Sequence, residues 1–219
     1  RPVSETGYWA ARDAVAAIGI PVPPAELVHD PGQALAAAGR LGYPVVLKAL
    51  AGEHKSDAGG VALGIEDEAA LEQAIAVTAE RLAPGAWTVE QMLDAGPSAE
   101  LLLGCRRDPA FGCVAVAGSG GTLAELTADT AVALAPVDAH GALRLLAGLR
   151  CSALLDGYRG GPALAAGRAA EALAALSRFA AAHPEIAEIE INPLVVAAGG
   201  AWALDARIIL EQGGSHARR

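Results

Sequence analysis

The chain has 219 residues, 53% of them apolar but only 4% aromatic, and a formal charge of -9 from 16 basic and 25 acidic side chains. That length suffices for one large domain or two modest lobes, with a core of Ala, Val, Leu and Ile rather than aromatic rings. No basic run offers a grip for nucleic acid, and no apolar stretch is long enough to cross a bilayer as a helix. Three scattered cysteines, Cys105, Cys113 and Cys151, show neither a CxxC nor a metal-ligand spacing. The expectation is a cytoplasmic protein with reduced thiols that binds neither nucleic acid nor membrane. The chain opens on Arg1 rather than Met, as expected of a processed chain or one cut from a longer polypeptide.

In chain order, Ser4 is a candidate N-cap for a helix through Ala17, ended by Gly19. Pro21, Pro23 and Pro24 impose an extended link. Asp30-Pro31 joins a cap to a first-turn proline and opens a second helix, which Gly42 closes. Pro44 to Leu50 is a short apolar run predicted as a buried strand. A glycine-containing loop from Gly52 to Gly60 leads to a returning strand, Val61 to Ile65, and a helix from Asp67 to Leu82. Pro84-Gly85 is the best internal boundary. Strands are predicted near Trp87 to Met92, Ala99 to Arg106 and Cys113 to Ala117, followed by the loop Gly118-Ser119-Gly120-Gly121 and irregular segments. A helix near Ala139 to Leu149 and a long one over residues 163–182 precede strands at 186–191, 193–198 and 201–206, and the last dozen residues are expected to fray. Helices alternate with strands, but hairpins also occur. The pattern predicts a mixed α/β (α+β) protein with two lobes joined near residues 84–89.

Lys48 is the first residue with chemistry to explain. Period 2 places it on one strand face with Val46 and Leu50. A lysine in a buried strand needs an anion, whereas on an edge strand its stem would cover apolar surface and its head reach water. The next loop, His54-Lys55-Ser56-Asp57-Ala58-Gly59-Gly60-Val61, combines cations with glycines that let N–H groups approach phosphate oxygens. Read alone it is also an ordinary hairpin turn; with Lys48 upstream, a phosphate cradle is the better reading. The second loop, with Gly118, Gly120 and Gly121, fits no Walker pattern and is a possible phosphate loop or a plain turn.

Near the C-terminus, EIAEIEINPLVV places Glu188, Glu190 and Asn192 on one strand face and Ile189 and Ile191 on the other. With Gly199-Gly200 as the whole turn, Leu194 faces Asp205 and Arg207 faces Asn192. Asp205 is then diagonal to Asn192, at about 7–8 Å between backbones. Carboxylate and amide oxygens on adjacent strands suit Mg²⁺ carrying nucleotide phosphates, while the plainer reading is a solvated face with an Asp–Arg pair.

The stretches LGYPVVLK, HKSDAGGV, ELLLGCRRDPAFG, GSGGTLAEL, LLDGYRGGPA, EIEINPL and LDARI follow one another over nearly the whole chain. In that order they resemble the ATP-grasp domain of the NDP-forming acyl-CoA synthetases, of the ADP-forming acetyl-CoA synthetase β-subunit type. They are more distantly similar to the β subunit of succinyl-CoA synthetase. The resemblance implies an ATP-grasp fold of two lobes with mixed sheets enclosing a nucleotide site. Residues 1–219 would form a single such domain, its smaller lobe about 20–86 and its larger lobe about 87–210 plus the N-terminal helix 4–18.

The implied cofactors are ATP/ADP and Mg²⁺. Lys48, Lys55, Gly59 and Gly60 would lie at the phosphates, Val89, Glu90 and Met92 would cradle adenine and ribose, and Glu100 would belong to the same nucleotide-binding set. Asn192 and Asp205 would hold Mg²⁺, and His54 would be the catalytic phosphoryl carrier. In that family acyl-CoA, phosphate and ADP reversibly give acid, CoA and ATP through an acyl-phosphate and a phosphohistidine. The CoA-binding, ligase part lies on an α-type subunit or a fused domain, and that partner would bring acyl-CoA and phosphate. The alternative is a degenerate regulatory module like those fused to protein acetyltransferases. Ala133 keeps that reading open, because the family commonly has an arginine there.

Overall fold

The computed structural model describes residues 3–50, 59–121 and 128–211. Among them the elements run α1 (Tyr8–Ala17), β1 (Ala25–Val28), α2 (Pro31–Leu41), β2 (Val45–Ala49), β3 (Val61–Ile65), α3 (Glu68–Leu82), β4 (Trp87–Gln91), β5 (Ser98–Asp108) and β6 (Gly112–Ser119). They continue through β7 (Thr130–Leu134), α4 (Ala139–Ala147), a single turn α5 (Ser152–Leu155), α6 (Ala166–Ala182), β8 (Ile186–Ala197), β9 (Gly200–Ala203) and β10 (Ala206–Leu210). No described helix is long and apolar enough to cross a membrane.

Two helix starts follow from local chemistry. Asp30 accepts the Gln33 N–H at 2.8 Å, and Asp67 accepts the Ala70 N–H at 2.8 Å, each satisfying a donor that the first turn leaves without a helical partner. The first helix does not start at Ser4. It starts at Tyr8 because Gly7, at φ 103°, stands outside the helical region.

The chain divides into two compact units, Pro23–Asp94 and the remainder, residues 1–22 with 95–219. The expected boundary at 86/87 is corrected: β4 lies inside the smaller unit, hydrogen-bonded to β1 on one side and β2 on the other. Every ladder among the described residues is antiparallel, where mixed sheets were expected.

In the smaller unit the sheet order is β1-β4-β2-β3. Val45, Leu47, Ala49, Trp87 and Val89 project from one face onto Ala34, Ala37 and Ala38 of α2 and Leu71 and Ile75 of α3. Strand alternation then sends Lys48, Thr88 and Glu90 to the other face.

In the larger unit the order is β10-β8-β5-β6-β7, with β9 also paired to β8. Leu101, Leu103, Cys105, Ile189, Ile191 and Ile208 form its core with the apolar stripe of α6. The small aromatic content is met by alanines of α6, which let the helix lie close on the sheet. β1 and β7 were read from sequence as an extended link and as irregular chain, and residues 208–210, expected to fray, belong to β10. AELV and TAVAL are short and carry weak β signals; pairing with β4 and β6 makes them strands.

The larger unit also ties its N-terminal segment to the start of β8. Glu185 Oε1 lies 2.9 Å from His183 Nδ1 and accepts the Val3 N–H at 2.6 Å. These bonds, that of His183 first, hold the Glu185 carboxyl at about 2. A carboxyl whose pKa falls on folding stabilises the fold above its unfolded value and loses that contribution as pH falls through the folded one. Glu185→Gln is therefore expected to have a lower Tm than the parent at pH 6, with the gap closing between pH 4.5 and about 2. A gap independent of pH, in thermal melts across that window, would assign the effect to packing.

Candidate functional site

In the smaller unit, Lys48 meets its anion within the protein. Its side chain is 10% exposed, and Nζ lies 3.1 Å from Glu90 Oε2, whose own side chain is 4% exposed. Thr88, fully buried, donates its hydroxyl to Glu90 Oε1 at 2.8 Å. The ladder explains the meeting: Lys48 pairs with Thr88 and Val46 with Glu90, so all four side chains share one sheet face. Thr88 was not singled out from sequence; its period-2 relation to Glu90 was the signal available.

Val89 cannot present its side chain to a ligand, since it is fully buried in the core on the opposite face. Glu90, expected at adenine and ribose, directs its carboxylate to Lys48. Met92 is 39% exposed, and its N–H donates to the Pro44 carbonyl at 3.1 Å. At the far end of β2 the Ala49 N–H donates to the Gly60 carbonyl at 2.7 Å, and Gly59 takes a left-handed φ of 73°. His54 and Lys55 lie outside the described residues.

In the larger unit, the β8 hairpin holds the second group. Its two-residue turn is Ala198-Gly199, with Ala197 opposite Gly200 and Leu194 opposite Ala203. The same register continues into β10, where Ala206 faces Ile191 and Arg207 faces Glu190. Between them the Leu204 N–H donates to the Pro193 carbonyl at 3.0 Å and the Asn192 N–H to the Asp205 carbonyl at 3.1 Å. The expected register is therefore corrected. Moving the turn by one residue places Asp205 directly opposite Asn192, not diagonal to it, and puts Arg207 across from Glu190. The parity is unchanged, so the oxygens still share a face.

On its other side β8 pairs with β5, and there the register slips between Leu101 and Leu103 as Leu194 and Ile191 face them. Asn192 and Pro193 thus oppose Leu102 alone, a bulge of the kind that re-aims a side chain. Pro193 has no N–H to lose in it.

Around this pair the face is charged. Arg207 donates to Glu188 Oε1 at 2.7 Å, Asp205 is exposed, and its Oδ1 accepts the Ala206 N–H at 2.9 Å. Burial, the largest effect, raises the pKa of the Glu190 carboxyl; Arg207 opposes the shift, and Glu188 and Asp205 add to it.

The possible phosphate loop has another use. Gly118 and Ser119 belong to β6. The Ser119 N–H donates to the Asp129 carbonyl at 3.0 Å, the Gly120 N–H to the Glu100 carbonyl at 2.9 Å, and the Gly121 N–H to Asn192 Oδ1 at 3.0 Å. All three donors are directed at protein acceptors. Glu100 is exposed at the start of β5, beside Gly121.

Among the described residues no cluster of three His, Cys, Asp or Glu side chains has metal-site geometry. The donors at hand fit a hard cation that keeps water and takes phosphate oxygens, as Mg²⁺ does with one or two protein carboxylate or amide oxygens.

The described residues thus form two antiparallel sheets in two units, with a buried lysine in one and an Asn–Asp pair in the other. The chain belongs to the ATP-grasp family: residues 5–210 match the family described as ATP-grasp domain. It is 36% identical over 215 residues to trans-feruloyl-CoA synthase FCS1 of an unknown prokaryotic organism, covering 93% of this chain and 30% of that protein. It is 35% identical over 209 residues to acetate–CoA ligase [ADP-forming] I subunit beta of Pyrococcus furiosus, covering 91% of this chain and 89% of that one.

Among solved structures, it superposes with a TM-score of 0.86 on Ca. Korarchaeum cryptofilum dinucleotide forming acetyl-coenzyme A synthetase 1, in complex with coenzyme A, Ca-AMPCP and HgCl+. That match has 31% identity and covers 94% of this chain and 93% of that one. A second structure of that enzyme holds coenzyme A and Mg-AMPPCP with its phosphohistidine segment pointing towards the nucleotide binding site. It superposes at 0.81 with 30% identity, covering 93% and 92% of the two chains. The chain spans about a third of the length of its long relatives and about nine-tenths of the separate β subunit.

Proposed function

We propose that this chain is the nucleotide-handling component of an ADP-forming acyl-CoA synthetase, working with a CoA-binding partner on another subunit or elsewhere in a fused chain. The observation that carries the reading is the Asn192–Asp205 pair, directly opposed on one oxygen-rich sheet face, in a chain whose relatives are acyl-CoA ligases. Those relatives favour the enzyme reading over a degenerate regulatory module.

Lys48 offers its ammonium to nucleotide phosphates, held in place by Glu90 and Thr88. Asn192 Oδ1 and the Asp205 carboxylate would hold Mg²⁺, with Glu190 beside them. The cation, when bound, offsets phosphate charge during phosphoryl transfer. The protein's own work is positioning: a fixed ammonium and fixed oxygens cost little reorganisation when the reaction occurs. His54 carries the phosphoryl group between the nucleotide and the partner's site, and the partner brings acyl-CoA and phosphate.

Asp205→Asn tests the metal half. It is expected to reduce the gain in ADP affinity on adding Mg²⁺ by about 10-fold or more, with metal-free ADP binding unchanged, as calorimetry with and without Mg²⁺ would read. Equal losses in both would make Asp205 structural.

A further inference from the structure

The glycine loop points to a positioning role at the side chain assigned to the cation. A backbone N–H can only donate, so its bond to Asn192 settles which end of the carboxamide is oxygen. An amide oxygen has two acceptor sites, and Gly121 takes one of them.

We propose that Gly121 is the positioning residue of Asn192, its N–H holding Oδ1 so that the remaining lone pair is the one offered to the cation. The inference rests on the reading of Asn192 as a metal ligand.

Glycine is favoured at 121 by its φ of 67°, in the left-handed region; a methyl group there would meet the end of the exposed Glu100 side chain, which can move aside. The neighbour is held by its surroundings: a methyl on Gly120 would overlap the main chain of Leu101. The pair is thus pressed against the start of β5. Ser119 and Gly120 direct their N–H groups to main-chain carbonyls, whereas Gly121 directs its own to a side chain. The β8 bulge brings Asn192 to meet it. Two features 71 residues apart in sequence, the glycine pair and the bulge that carries Asn192, meet at one carboxamide. Partners of this kind fix the orientation of a ligand and set metal affinity without touching the metal.

The test is a double-mutant cycle on the full chain, reading ADP affinity by calorimetry with and without Mg²⁺ for Gly121→Ala, Asn192→Asp, their combination and Asn192→Ala. Gly121→Ala is expected to lower the Mg²⁺-dependent gain by about 10-fold and to spare metal-free binding. In the Asn192→Asp background the two oxygens are equivalent, orientation no longer matters, and Gly121→Ala is expected to cost little. Equal losses in both backgrounds, or a loss in metal-free binding, would overturn the proposal and leave Gly121 a packing residue. An unchanged Mg²⁺ gain in Asn192→Ala would overturn the ligand assignment and the proposal with it. If Gly121→Ala does not fold, hydrogen exchange at the Gly121 amide decides. Loss of protection in Asn192→Ala supports the bond, and parent-like protection overturns it.

Discussion

Lys48→Ala is expected to weaken nucleotide binding by at least about 30-fold and to destabilise the chain as well. The first effect follows from removing a charged donor whose side chain is largely buried, a kind of truncation that costs about 2–5 kcal/mol at a buried charged contact. The second follows from the Lys48–Glu90 pair, whose side chains are 10% and 4% exposed. Removing one member leaves the Glu90 carboxylate buried without that ammonium, a loss of about 3–5 kcal/mol. At about 2–4 °C per kcal/mol for a chain of this size, Tm falls by on the order of 10 °C.

A loss of binding in Lys48→Ala alone would therefore be ambiguous. Lys48→Met with Glu90→Gln resolves it. Methionine keeps an apolar stem, and the neutral glutamine can still accept the Thr88 hydroxyl. The double variant is expected to recover most of the lost Tm and none of the lost affinity, read by thermal unfolding and calorimetry. Recovery of both would make the lysine a structural residue. Full affinity in Lys48→Ala would remove it from the site.

Arg107→Ala is expected to lower Tm by roughly 6–12 °C, about 3 kcal/mol, while the folded variant binds nucleotide as the parent does. Arg107 ends the core-facing series Leu101, Leu103, Cys105, and its guanidinium reaches the C-terminal end of α6. It donates to the Ala180 carbonyl at 2.9 Å, the His183 carbonyl at 2.9 Å and the Ile186 carbonyl at 3.0 Å. Ala180 lies in the last turn of α6 and His183 caps it; their carbonyls also accept the His183 and Ile186 N–H groups, at 3.3 and 3.0 Å. The guanidinium adds a second donor to each, where a cation also favours the negative end of the helix dipole. Arg107→Lys keeps the charge but has no planar fork to span three acceptors, so an intermediate Tm is expected. Thermal melts of the two variants check this, and parent-like stability in Arg107→Ala would show that water replaces the guanidinium at no cost.

The helix boundaries that local chemistry controls were legible. Asp30 and Asp67 act as caps through bonds three residues long, and Gly42 ends α2 where expected. The two-residue period was equally legible: Lys48 faces away from the core of its unit, and Glu190, Asn192 and Asp205 share a face. What failed was placement along that period. AAGG offers two adjacent two-residue turns, and only the ladder shows that Ala198-Gly199 is the one used. One residue's difference carries Asp205 from a diagonal to a direct partner of Asn192.

The sequence by itself determined the class of protein, the local caps and which face of each strand is polar, because these depend on residues a few positions apart. Only the tertiary structure decided which groups meet. Glu90 meets Lys48 across 42 residues, Arg107 meets the end of α6, and Gly121 meets Asn192. Such meetings depend on ladder register and on how closely a backbone can approach its neighbour. Those are set by the packing of the whole sheet, and no window of sequence contains them.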